Sequence, residues 1–190
     1  MHATAWICAL LSTAALFASE RMNVSICNPG HLSESAVVRA EAQTAAVFHS
    51  MGIEIVWAKC GAGPASEEAA HQHWFTIRLR GDRPPETPGP ASLELLGRAF
   101  VSAGRAGYLA DVYYKAVQSL ASRAQIDAEA VIGCVMVHEL GHLLLGPGHV
   151  SDGIMRAAWT AKDMEAIRQR WLKFNCTENA RIRRELQDAN

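Results

Sequence analysis

The first regular pattern of apolar and polar residues begins at Met22 and continues through Val24, with polar residues between. A period of two predicts a strand with one buried face. A more continuous apolar run, IEIVWA at residues 53–58, predicts a second strand that is buried on both faces. Between the two, apolar residues recur at helical spacing from a cap at Ser33 to about Met51. A strand, a helix and a strand within about forty residues predict a right-handed crossover between parallel strands.

The alternation returns in WFTIRLRGD, which predicts a third strand from residue 74. The stretch RPPETPGP at residues 83–90 is too rich in proline for a strand or a helix interior, so we expect a surface loop. A fourth strand, or a pair of strands, is expected between Arg98 and Val117. The segment LADVYYKAV is the best candidate for it.

Two further helices are predicted in the last third of the chain. Asp127 caps a long apolar helix, and Thr160, followed three residues later by Asp163, starts a last helix. Ile167 and Trp171 lie on one face of that last helix by their spacing. The predicted fold class is α/β (α+β): a small mixed, mostly parallel twisted sheet with a crossover helix, a long apolar helix and a C-terminal helix.

Composition narrows the class of protein. A chain of 190 residues, 49% hydrophobic and 19% charged, can bury one core but is too short for two comfortable domains. The formal net charge of −1 provides no general field for a polyanion. Nucleic acid is therefore not an expected partner.

The first nineteen residues, MHATAWICALLSTAALFAS, contain no Lys, Arg, Asp or Glu. Their apolar run is too short to span a bilayer and ends in small residues, as in a secretory signal peptide, although His2 stands where a Lys or Arg is usual. A secreted or periplasmic protein is predicted, with no stable membrane insertion after removal of the signal. The alternative is an amphipathic or buried first helix.

Four cysteines follow the predicted signal, and none forms a C-x-x-C pair, so a cysteine-built zinc site is not expected. Cys27 and Cys60 end the first two predicted strands, whose carboxyl ends should lie side by side. We therefore predict a Cys27–Cys60 disulfide in an exported protein. Cys134, on the apolar helix, is predicted to be a buried thiol.

The long apolar helix carries polar groups in the stretch HELGHLLLGPGH. His138 and His142 are four residues apart, so their rings point to the same place and suit one zinc ion. Glu139 is turned about a hundred degrees away on the helix. It is therefore better placed as a general base for an attacking water than as a metal ligand.

Catalytic zinc usually has three protein ligands, so a third one is expected. His149 is the main candidate, because Gly146 can end the helix and the chain can then turn back. Asp152 is better suited to capping backbone N–H groups in a sharp turn. Glu165 is the serious rival, since a downstream carboxylate would make the protein a gluzincin-like peptidase.

HELGHLLLGPGH followed by SDGIM resembles the metzincin zinc peptidases, whose pattern is H-E-x-x-H-x-x-G-x-x-H and then a Met-turn. The resemblance implies that His138, His142 and His149 bind Zn²⁺ and that Glu139 is the catalytic base. Met155 would be the Met-turn residue beneath the metal. The resemblance is closest to small bacterial secreted members.

The spacing departs from the family pattern at two places. Three residues separate His142 from Gly146, where the family has two, and five separate His149 from Met155, fewer than in most metzincins. In metzincin-like enzymes a substrate strand pairs with the sheet edge. LADVYYKAV is the predicted edge.

The resemblance implies a zinc metallopeptidase that acts on peptides or proteins. The expected organisation is a signal peptide at 1–19, a zinc peptidase-like domain at 20–176 and a charged C-terminal tail at 177–190. A different class of function, a metal-binding or protein-binding module without turnover, is the alternative, and the presence of Glu139 argues against it.

Overall fold

The computed structural model describes residues 20–62, 73–81, 96–101 and 107–188. Its strands are β1 (Glu20–Cys27), β2 (Ile53–Lys59), β3 (Trp74–Arg80), β4 (Gly97–Ala99) and β5 (Leu109–Tyr113). Its helices are α1 (Glu34–His49), α2 (Tyr114–Ala124), α3 (Ala128–Leu145), α4 (Ala161–Arg168) and α5 (Cys176–Asp188). The predicted signal peptide and the predicted proline-rich loop lie outside the described residues.

The five strands form one sheet in the order β2-β1-β3-β5-β4. All neighbours are parallel except β4, which runs antiparallel to β5. α1 connects β1 to the parallel neighbour β2, with Ser33 accepting a hydrogen bond from the Ala36 N–H as its cap. The predicted crossover unit and the predicted fold class, a mixed and mostly parallel α/β sheet, are confirmed.

The predicted burial of the first two strands is wrong for both. β1 lies between β2 and β3, and its residues Met22 to Ser25 are all buried. β2 lies at the end of the strand order, where Val56 is 41% exposed. A central strand is covered on both faces whatever its polarity, so position in the sheet, and not the apolar pattern, decided the burial.

The predicted disulfide between Cys27 and Cys60 is present, with the two Cα atoms 4.5 Å apart. The parallel register of β1 and β2 places the strand ends side by side, which brings the two thiols together. Cys134 is a buried free thiol, as predicted, and its burial raises its pKa to about 12. Cys176 is free and exposed.

Removing this disulfide should cost considerable stability. Replacing Cys27 and Cys60 together by serine frees a loop with a sequence separation of 33 residues. The free energy of unfolding should fall by about 3–4 kcal/mol in the chain-entropy account. Urea unfolding without reductant measures it, with Cys176→Ser as the matched control that should change nothing. An unchanged double variant would contradict the prediction.

α3 is the core helix of the domain. It is long and apolar enough to cross a membrane, but 78% of it is buried inside the protein. α1 crosses it closely at Gly133, where a Cβ would lie 2.8 Å from the Ala40 carbonyl oxygen. Thr44 donates a hydrogen bond to the Gly133 carbonyl across this contact. The histidine motif therefore lies on a helix that is packed into the core.

The segment LADVYYKAV was predicted to be one strand at the sheet edge, and both parts of this prediction are wrong. β5 ends at Tyr113 and α2 begins at Tyr114. Val117 and Ala121, four residues apart, are both buried, as expected for one face of a helix. This helical spacing was missed because it directly follows strand residues. The edge next to β5 is β4, a three-residue strand.

The C-terminal region also differs from the prediction. α4 has the predicted capping box between Thr160 and Asp163, but it ends before Trp171, which is 72% exposed. It is not the last helix. The predicted charged tail at 177–190 is a helix as far as Asp188, and its Ile182 and Leu186 are fully buried. Apolar residues four apart were enough to dock a highly charged segment.

Candidate metal centre

The structure brings His138, His142 and His149 together. The Nε2 atom of His142 lies 3.1 Å from that of His138 and 3.2 Å from that of His149. One ligand atom from each residue lies within 4.8 Å of the other two. Two nitrogens bound to zinc at about 2.0–2.1 Å in a tetrahedral arrangement are separated by roughly this distance.

Hydrogen bonds to the other ring nitrogens set the tautomers of the first two histidines. His138 Nδ1 lies 2.7 Å from the Ile154 carbonyl oxygen, and His142 Nδ1 lies 3.0 Å from that of Gly146. A carbonyl only accepts, so each Nδ1 carries the proton and each Nε2 presents a lone pair. Lone pairs this close repel one another unless a cation lies between them. The three-histidine cluster thus fits and supports zinc binding.

The pKa values of the two helical histidines keep them neutral, the state that binds metal. Burial lowers the pKa of His138 to about 4, and burial likewise lowers that of His142. The neighbouring imidazoles add to the lowering. Neutral rings with fixed tautomers require no proton loss before a cation binds.

The turn after α3 delivers His149. Gly146 ends the helix with its N–H donating to the His142 carbonyl, and its φ of +91° is the positive value that glycine adopts most readily. Its ψ of −173° is extended, so Gly146 does not form the left-handed cap that is common for glycine at a helix end. The extended ψ sends the chain away from the helix axis, and three residues later His149 reaches the cluster with an exposed side chain.

Glu139 is 5% exposed and lies under β4. A Cβ at Gly97 would lie 2.8 Å from Glu139 Cγ, so only glycine fits at that point of the strand. Burial raises the pKa of Glu139 to about 8, the negative charge of Asp111 raises it further, and the Ala99 N–H lowers it by donating to the carboxylate. A cation nearby favours the ionised form of such a carboxyl.

Met155 lies in a turn that supports His138, the first histidine of the cluster. It is 1% exposed, and a Cβ on Gly141 would collide with its Sδ, so it packs directly against the helix between the two histidines. Its N-terminal neighbour, Ile154, provides the carbonyl that accepts from His138 and also accepts a hydrogen bond from Trp159 Nε1 at 3.1 Å. The turn thereby orients the His138 ring.

The histidines and Glu139 line a cleft of about 720 Å³. β4 forms one wall, and the segment from Arg156 to Trp159 forms another. The larger apolar side chains of the lining are Leu96, Val101, Leu120, Val135, Trp159 and Met164. A cleft of this volume with this apolar lining can accept apolar side chains beside the cluster.

The two other candidates for a third ligand, Glu165 and Asp152, do not belong to the histidine cluster. Glu165 is half exposed, with its carboxylate 3.1 Å from Arg168 Nε and 2.7 Å from Gln169 Nε2. Asp152 is exposed and does not belong to the histidine cluster. Among the described residues, the cluster that could hold a metal contains histidines alone.

Two residues that contribute to this site were missed in the sequence. Gly97 admits Glu139, and Trp159 packs edge-on to His138 with ring centroids 6.1 Å apart. A tryptophan four residues after the Gly-Ile-Met turn was a readable signal. Gly97 had none, because its role depends on a helix more than forty positions away.

No family model matches the chain, and no curated protein matches its sequence. Among solved structures, the fold is similar to that of an archaemetzincin from Methanopyrus kandleri, with a TM-score of 0.54 and 15% sequence identity. The match covers 88% of this chain and 97% of the archaemetzincin chain. The two proteins therefore share a fold over nearly their whole lengths.

Proposed function

We propose that this chain is a zinc-dependent peptidase that hydrolyses peptide bonds. The observation that carries the proposal is a buried carboxylate, Glu139, beside three imidazoles that converge on one point of an open cleft. The similar fold of an archaemetzincin supports it. A module that only bound metal would have no use for a carboxyl group held desolvated next to the ligands.

His138, His142 and His149 would hold the zinc ion. Bound there, zinc would supply a Lewis acid that polarises a carbonyl group and makes a nearby water easier to deprotonate. Glu139 accepts the proton of the attacking water and returns it to the leaving amine. Its contact with Gly97 and its hydrogen bond from Ala99 hold the carboxylate in place for both transfers.

The substrate is an extended peptide that lies along β4. This strand ends the order of the described sheet and forms a wall of the cleft, so a peptide in the cleft would lie beside it. A peptide can pair with such an edge through main-chain hydrogen bonds. The apolar lining would then accept its side chains.

The protein is exported to an oxidising compartment, as a secreted or periplasmic enzyme with a signal peptide at 1–19. The Cys27–Cys60 disulfide supports this localisation, because such bonds persist mainly outside the reducing cytosol.

Chelation of the purified protein tests the function. The protein should contain zinc and cleave casein, 1,10-phenanthroline should abolish cleavage, and added zinc should restore it. The isomer 1,7-phenanthroline cannot chelate in the same way and should have no effect, which makes it the matched control. Cleavage that continues after zinc has been removed would contradict the proposal. Bound zinc without any cleavage of casein would favour the binding module.

A further inference from the structure

Arg156 is held at the wall of the cleft by its backbone. It follows Met155 directly, forms a parallel bridge with Val150, and its N–H donates to the Gly153 carbonyl at 3.3 Å. Val150 is itself the residue after His149. The position of Arg156 relative to the third histidine is therefore set by main-chain bonds, and the residue lines the cleft.

Among the described residues, the guanidinium group of Arg156 has one nitrogen without a hydrogen-bond partner. That nitrogen is Nε, and it is buried. Asp163 Oδ2 lies 3.6 Å from this Nε, which is a loose ion pair and too long for a hydrogen bond of ordinary strength. That oxygen already accepts from the N–H and the hydroxyl of Thr160, both at 2.7 Å. A permanently charged group in this state favours an additional anionic partner.

The other charged residues that line the cleft do not supply an anionic partner for Arg156. Arg98 is also cationic, and its guanidinium carbon lies 5.4 Å from the centre of the Phe100 ring. Glu139 is committed to the space under Gly97. The side chain of Arg156 is 32% exposed and the residue lines the cleft, so part of the side chain is accessible even though its Nε is buried. A planar fork of N–H donors matches a carboxylate in a bidentate arrangement.

We propose that Arg156 is a specificity-determining residue that binds a carboxylate of the peptide substrate, either an acidic side chain or the free C-terminus. The inference rests on the proposed function, since the cleft is where a scissile peptide would lie. A carboxylate held at Arg156 fixes the register of the peptide, while the apolar lining accepts its neighbours. The preferred substrate class is thus peptides with one anionic group beside apolar residues.

Four peptide pools test this inference. Decapeptides of otherwise degenerate sequence contain either Glu or Gln at one fixed position, and each pool is made with a C-terminal acid or a C-terminal amide. Mass spectrometry locates the cut bonds and kinetics provides kcat/KM. Wild type should prefer either Glu over Gln or acid over amide by about tenfold or more, as expected for a charge-assisted hydrogen bond. The preferred pair identifies the source of the carboxylate.

Arg156→Met should reduce that preference to near unity, because kcat/KM for the pool with the carboxylate should fall about tenfold more than kcat/KM for its neutral counterpart. Arg168→Met removes the same charge from a half-exposed ion pair outside the cleft lining and should retain the preference. Arg156→Lys should recover only part of it, because a point charge lacks the fork. Wild type without any carboxylate preference, or an Arg156→Met protein that retains it, would overturn the inference.

Binding separates this inference from the proposed function. The same pools, fluorescently labelled, are titrated with zinc-loaded Glu139→Gln protein and followed by anisotropy. Carboxylate-selective binding that Arg156→Met abolishes would uphold the role of Arg156 even if no peptide were cleaved. Cleavage without carboxylate selectivity would uphold the peptidase and reject the role of Arg156.

Discussion

Replacing Glu139 by glutamine is expected to lower kcat/KM for peptide hydrolysis by at least about a hundredfold while zinc remains bound. Glutamine has the same shape and fits the space under Gly97, but it cannot accept a proton from water. The substitution does not change the three histidines that would hold the zinc ion. Loss of rate with full zinc content would therefore assign Glu139 to proton transfer.

The measurement is casein or peptide cleavage together with zinc content by mass spectrometry. Glu165→Gln is the matched control, since Glu165 is a half-exposed surface carboxylate paired with Arg168, and it should keep the wild-type rate. Thermal unfolding checks that both variants fold. A Glu139→Gln protein that cleaves peptides as fast as wild type would rule out the general-base role.

Replacing His149 by alanine is expected to weaken zinc binding by more than about a hundredfold. Loss of a residue that only hydrogen-bonds to a metal ligand already lowers metal affinity by about 10- to 100-fold. The expectation rests on the 3.2 Å separation between the Nε2 atoms of His149 and His142. His149 is exposed, so its truncation should leave the fold and its stability nearly unchanged. Competition with a chromogenic zinc chelator provides the dissociation constants.

Glu165→Ala is the control for this experiment, and it should bind zinc as wild type does. The reverse pattern, a Glu165 variant that loses zinc and a His149 variant that retains it, would make the site gluzincin-like. Retention of zinc by both variants would leave a two-histidine site with a ligand from outside the cluster. Either result would contradict the three-histidine centre.

Much of the local structure was predictable because it depends on neighbours in the sequence. The cap at Ser33, the capping box of Thr160 and Asp163, and the meeting of His138 with His142 all depend on spacings of three or four residues. The parallel crossover also follows from local order, since a strand, a helix and a strand leave one favoured handedness. The disulfide then followed, because parallel neighbours end side by side.

Other features depended on contacts between distant segments. β1 is central and β2 is not, because β3 pairs with β1. The polar Ser25 of β1 is buried as a result. α5 became part of the domain because a surface was available for Ile182 and Leu186. A pattern of polarity reports how a segment could be buried, whereas the strand order decides how it is buried.

The candidate metal centre also combines features that the sequence predicts with features that depend on tertiary contacts. The sequence alone determined that His138 and His142 lie on one face of the helix, that Glu139 lies off that face, and that Gly146 ends the helix before His149. Only the tertiary structure decided that β4 would cover Glu139 through Gly97, and that Arg156 would line the cleft with a buried Nε that has no hydrogen-bond partner among the described residues. The physical reason is that a helix places its own residues by its period, whereas the walls of a cleft come from segments whose meeting depends on the packing of the whole core.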